Sequence, residues 1–268
     1  MSKNASPFSP AQATTSGSRK TVHNINTAYL RIGDQFEDIL SNIPLEDLTV
    51  IPDLPEIHPA LLAMTTIFQY AERLADQQAV EAVRTRMDWK YALHLPVNFP
   101  GFDPICLQEF RVRLCKKRAA QATFKNLFIH LIDAGLLSRK EKELTTLEIV
   151  GSVNVLNCLT ILIVAMRELL EALAAAEPEW LRSIILPHWY ERYSNPRRIL
   201  DHVMGGSEQE ALGQSIGADG VHLLKAISEA ETPGLTNLPE VLAMKQVWQD
   251  QYEWVEGKLF WRKEVPIM

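Results

Sequence analysis

Between Ile149 and Met166 the chain reads IVGSVNVLNCLTILIVAM, with no charged residue. A run of that character has two stable homes, the interior of a bilayer or the core of a protein. Its length is at the lower limit for a spanning helix. It carries Asn154 and Asn157, and no basic cluster marks one flank. The expectation is therefore a buried core helix, from about Asn154 to Ala176, and no membrane span. Within it Leu156, Leu159, Ile163, Met166, Leu170 and Leu173 alternate spacings of three and four, a coiled-coil-like seam. The flanking positions lack the charged pairs of a zipper. The seam reads first as intramolecular core, and second as an oligomerisation surface for a homodimer.

Helical signals dominate elsewhere too. Apolar residues at Ala28, Ile32, Phe36 and Ile39 predict a helix over Asn26–Leu40. Pro44, Pro52, Pro55 and Pro59 punctuate a linker, and Pro59 suits the first turn of a helix ending near Leu74. Asp76 is a good N-cap for the next helix, QQAVEAVRTRM, which precedes the pair Trp89 and Tyr91. Helix, tight turn, helix is helix-turn-helix-like, although any helical bundle offers the same pattern.

After Pro96, Pro100 and Gly101, Asp103-Pro104 starts the helix ICLQEFRVRLCKKR, whose second half is basic: Arg111, Arg113, Lys116, Lys117, Arg118. Cations near a helix C-terminus suit the macrodipole, and they equally suit phosphate. A helix over about Ala122–Ala134 ends at Gly135. The β-branched stretch LTTLEIV then predicts a short strand. Downstream, PEW, PHWYERY, Ser207–Glu231 (broken around Gly217 and Gly220) and Leu238–Glu256 read as helices, and KLFWRKEVPIM as a final short strand. The fold class expected is mainly α, a multi-helix bundle with at most a short remnant strand.

Composition narrows the function. With a formal net charge of −6 over 268 residues, the chain does not coat nucleic acid over its whole surface, although a local basic patch remains open. The three cysteines, Cys106, Cys115 and Cys158, have no metal-ligand spacing and suit a reduced, cytoplasmic protein. Phosphate-binding glycine loops, H-E-x-x-H and G-x-S-x-G are missing from the sequence. The histidines are scattered. Asp133, Asp201 and Asp219 have no spacing that marks a site. No cofactor, metal or small-molecule substrate is expected. Residues 1–24, polar and rich in Ser, Ala, Thr and Pro, read as a flexible tail.

One long stretch carries a resemblance. DQQAVEAVRTRMDWKYALHLPVNFPGFDPICLQEFRVRL is similar to the N-terminal domain of DDE-type insertion-sequence transposases of the InsH type. Glu81 to Tyr91 match an E-A-x-R-x-R-x-x-W-K-Y-like motif, and Phe102 to Leu114 match F-D-x-x-x-L-x-x-F-R-x-R-L. ALAAAEPEWL, PHWYERY, IGADGVHLL and QVWQDQYEWVEGKLFWR resemble the same subgroup, so the resemblance covers roughly residues 25–265. It implies a DNA-binding-like helical domain over 25–138, with end recognition in 55–118. It also implies an incomplete, interrupted RNase H-like core over 139–268. Arg84, Arg86, Lys90, Arg111, Arg113, Lys116, Lys117 and Arg118 are the implied DNA contacts, and double-stranded DNA the implied partner.

Two departures count against catalysis. Anchored on Val153 to Leu159, the family's T-D-S-T-H-V-L stretch falls on residues 144–150, and its catalytic Asp falls on Thr145. Threonine lacks the anionic oxygens that a two-metal site needs, and in a strand Glu148 faces the other side. The strands expected to carry the second Asp and the final Glu do not occur among the 268 residues. The expectation is a catalytically inactive, transposase-derived DNA-binding protein. Two other readings stay open: a helical interaction and oligomerisation module, and a decayed transposase fragment.

Overall fold

The computed structural model describes residues 27–41, 43–49, 57–203, 206–230, 232 and 234–263. The expected tail, Pro52 and Pro55 lie outside them. Among the described residues the chain is mainly α, as expected, with one two-stranded antiparallel sheet. It divides into two compact units, residues 1–153 and 154–268.

The first unit contains α1 (Thr27–Asp34), α2 (Phe36–Ser41), α3 (Pro59–Glu72), α4 (Asp76–Thr85), α5 (Met87–Ala92), α6 (Ile105–Leu114) and α7 (Arg118–Asp133). It also holds the start of α8 (Thr146–Ala176). Helix α3 is its centre: every residue from Ala60 to Gln69 is buried. Its start follows from local chemistry, since Pro59 occupies the first turn and His58 Nδ1 accepts from the Ala60 N–H at 3.2 Å. Phe68 meets Tyr29 and Trp89 edge-on, with ring centroids 4.9 and 5.1 Å apart. The expected start at Asp103-Pro104 is present, with Asp103 Oδ1 accepting from the Ile105 N–H at 2.9 Å. Gly135 ends α7 at φ 91°, and the Leu136 N–H reaches back to the Leu131 carbonyl.

Three expectations need correction here. Ala75, not Asp76, is the N-cap of α4, and the Gln78 side chain accepts from the Ala75 N–H. The basic helix ends at Leu114; Lys117 is extended (φ −120°, ψ 115°), and Arg118 opens α7. Residues 144–150 are not a strand. Thr145 Oγ1 accepts from the Glu148 N–H, and Glu148 Oε2 accepts from the Thr145 N–H at 2.7 Å. That is a capping box, T-x-x-E, and it launches α8 at Thr146. The reciprocal bonds satisfy free first-turn donors, which outweighs the β propensity of the two threonines and Ile149.

The second unit holds the rest of α8, then α9 (Pro178–Ile184), α10 (Pro187–Tyr193), α11 (Pro196–His202), α12 (Gly206–Glu229) and α13 (Pro239–Gln251). Strands β1 (Tyr252–Val255) and β2 (Lys258–Trp261) complete it. Helices α9, α10, α11 and α13 each carry proline in the first turn, where its missing N–H costs nothing. By length and composition α8 is apolar enough to cross a membrane. Its seam, however, is core: Leu156, Leu159, Ile163, Met166 and Leu173 are buried in the second unit, with Leu170 packed against them.

Helix α12 is continuous through Gly217 and Gly220, against the expected break. The glycines make room. A Cβ on Gly213 would lie 2.2 Å from the Trp261 ring, on Gly217 2.4 Å from Tyr252, and on Gly220 2.1 Å from Trp248. The Trp248 Nε1–H donates to the Gly217 carbonyl at 3.2 Å, and the Tyr252 hydroxyl donates to that of Gly213 at 2.6 Å. Helix α13 stops at Gln251, five residues before the sequence reading placed its end, because 252–255 pair with the expected final strand. The register sets Tyr252 opposite Trp261 and Trp254 opposite Leu259. The turn uses Glu256 and Gly257 at φ 49° and 77°, the left-handed pair that a two-residue hairpin loop needs.

Candidate nucleic-acid interface

The eight basic residues picked from sequence separate into a buried group and an exposed group. Arg111 is 1% exposed. Its guanidinium grips Asp76 through two bonds of 2.7 Å, one to each carboxylate oxygen, and Gln69 Nε2 donates to the same carboxylate at 2.6 Å. This fork joins α6 to the α3–α4 turn. Lys90 is also buried; its ammonium donates to the carbonyls of Val97 and Phe99, pinning the loop after α5. Burial holds its pKa below the ordinary lysine value.

Arg86 is half-buried between Glu72 and Asp88 and lies over the rings of Tyr29 and Trp89. Glu72 also accepts from the Tyr29 hydroxyl at 2.5 Å and from Trp89 Nε1–H at 3.1 Å. Burial alone would raise the Glu72 pKa. The hydrogen bonds from Arg86, Tyr29 and Trp89 outweigh it and hold the carboxyl below its usual range. Tyr91, the last motif position, donates to Asp34 at 2.5 Å, and its ring fills the space where a Gly33 side chain would stand. The motif residues Arg86, Trp89, Lys90 and Tyr91 thus tie α1, α3 and the 95–101 loop together. As placed, Lys90 and Arg111 are buried and engaged within the first unit.

The exposed group is Arg84, Lys116, Lys117 and Arg118; Arg113, like Arg86, is half-buried. Arg84 pairs with Glu81 at 2.7 Å on the open face of α4, and Arg113 with Glu109 at 3.5 Å on α6. Both pairs are solvated and contribute little to stability. Lys116, Lys117 and Arg118 form no ion pair with any described residue. Their setting differs from the expected one. Lys117 and Arg118 stand at the N-terminus of α7, where the macrodipole is positive and cations are disfavoured. The bland explanation, a basic run matched to a helix C-terminus, therefore holds only up to about Lys116.

Beside this run, Arg118, Gln121, Thr145 and Leu147 line a groove of about 460 Å³. Thr145 caps α8 there and is not on a strand among carboxylates. Among the described residues no three His, Cys, Asp or Glu side chains gather as metal ligands. No two of the cysteines form a disulfide, and burial raises the thiol pKa of Cys106 and Cys115. In the second unit Asp219, which had looked like surface charge, is buried. It accepts from the Tyr193 hydroxyl at 2.6 Å, pairs with Arg192 and faces His188 at 3.4 Å. Sequence reasoning missed the acceptors Glu72, Gln69 and Asp76, because each belongs to a contact distant in the chain.

Residues 46–113 match the family model described as Transposase domain (DUF772). This stretch is transposase-related. It spans α3 to α6 and holds both buried networks, Glu72–Arg86–Trp89 and Asp76–Arg111, whereas Lys116, Lys117 and Arg118 lie just beyond its end. Comparison with curated proteins and with solved structures gave no match.

Proposed function

We propose that the protein is a transposase-derived, cytoplasmic protein that binds duplex DNA through the exposed cations Lys116, Lys117 and Arg118 and the half-buried Arg113, with Arg84 as a further contact, and does not cut it. The observation that carries this reading is the run Lys116–Lys117–Arg118. It is exposed, it has no carboxylate partner among the described residues, and it is kept where the α7 dipole opposes it. A helix N-terminus with free amides and flanking cations is suited to phosphate. Contacts of this kind position a protein on DNA and carry little sequence information. The transposase-related match to residues 46–113 supports a nucleic-acid partner. Support for inactivity comes from Thr145, which is engaged with Glu148 in capping α8 and offers no carboxylate. The α8 seam side chains are core in the second unit, which favours DNA contact over self-association through them.

The test is a duplex titration by fluorescence anisotropy over a range of salt, with intact protein and with the combined Arg113→Ala, Lys117→Ala, Arg118→Ala variant. The variant should bind more weakly, with a salt slope smaller by about 2 to 3, since each phosphate contact adds close to one. The same duplex incubated with Mg²⁺ should stay uncut. An unchanged slope removes the patch, and metal-dependent cleavage removes the inactivity.

A further inference from the structure

The second unit carries a concave site of about 570 Å³ between α12, α13 and the hairpin. Its floor is aromatic and fixed. Trp248 and Tyr252 lie with ring centroids 5.5 Å apart, each bonded to a carbonyl of the glycine-cleared face of α12. Trp254, two residues along β1 on the same face as Tyr252, forms a wall and remains 62% exposed. An indole left this open on a four-residue strand adds little burial to the fold. Two cations border the site. Lys245 is exposed and has no ion pair with a described residue, and Arg262 meets Glu253 only at 3.8 Å with both side chains about half exposed. A surface pair of that length exchanges readily for a better anion.

We propose that this site binds a nucleotide unit, its base stacked on Trp254 and its phosphate met by Lys245 and Arg262. One open ring over a buried aromatic floor, beside two solvent-exposed cations, suits a base of any identity joined to a phosphate. The volume is that of a small-molecule site. A single strand and a free mononucleotide present the same chemistry. This assignment is independent of the duplex contact at 113–118, which involves none of these residues.

The test uses the intact protein, a labelled mixed-sequence single-stranded oligonucleotide, the matching duplex, and AMP as competitor. The wild type should bind the single strand. Trp254→Ala should weaken that binding at least about fivefold, the lower end for loss of one stacked base. Trp254→Phe should retain most of it, and duplex affinity should not change. Because Trp254 is exposed, both variants should unfold at the wild-type midpoint. Competition by AMP identifies a site open to free nucleotides; absence of competition identifies one that needs a strand. Wild-type protein that binds neither probe, or Trp254→Ala protein that binds the single strand as wild type does, overturns the proposal. Loss of duplex binding alone, in the cation variant, leaves it standing.

Discussion

Glu72 shows how a single side chain carries several helices. It takes hydrogen bonds from α1, from the α4–α5 break and from α5, through Tyr29, Arg86 and Trp89. Its pKa is held below the usual value near 4.5. A depressed folded-state pKa gives stability that is present above the unfolded pKa and lost as pH falls through the folded one. Unfolding midpoints measured on falling pH should therefore drop more steeply for the wild type than for Glu72→Gln once the pH is below the usual value near 4.5, since the glutamine has no such proton to take up. Parallel curves would remove Glu72 from that role. None of this was legible in the sequence. Arg86, Lys90 and Arg111 read as surface cations because charge normally stays in water, and the acceptors that make their burial tolerable lie up to 42 residues away.

At the scale of elements, starts and stops were the legible part. Pro59, Asp103-Pro104, Pro178, Pro187 and Gly135 act locally, and the structure uses each where the sequence places it. Several were misread all the same: the Asp76 cap, the ends of the basic helix and of α13, and two further signals. The threonines of LTTLEIV suggested a strand, while the T-x-x-E spacing within the same stretch specified a helix start. Gly217 and Gly220 suggested a break, while in fact they admit the rings of Tyr252 and Trp248 against an unbroken helix. Only the three-dimensional partner distinguishes a glycine that breaks from one that clears space. Gly220→Ala places a methyl carbon 2.1 Å from Trp248 and should destabilise the protein by about 1–3 kcal/mol, the usual cost of overpacking. A calorimetric midpoint within error of the wild type would contradict that close approach.

At the scale of the molecule, the acidic total hides an uneven distribution of roles. The transposase-related stretch at 46–113 spends two of its most basic positions, Lys90 and Arg111, on its own packing. Exposed cations without partners begin just past it, at Lys116. The mainly α class was legible because helical periodicity runs through nearly every segment. The division of the cations was not, since it depends on which face each helix buries. The central claim is that the buried motif cations Lys90 and Arg111 build the fold and the exposed run beyond them meets DNA. Its most direct test is the salt dependence of duplex affinity for Lys90→Gln beside Lys117→Gln. Lys90→Gln should keep a wild-type slope, with a lowered unfolding midpoint, and Lys117→Gln should show a slope reduced by about one, with an unchanged midpoint. A reduced slope for Lys90→Gln and a wild-type slope for Lys117→Gln would contradict it.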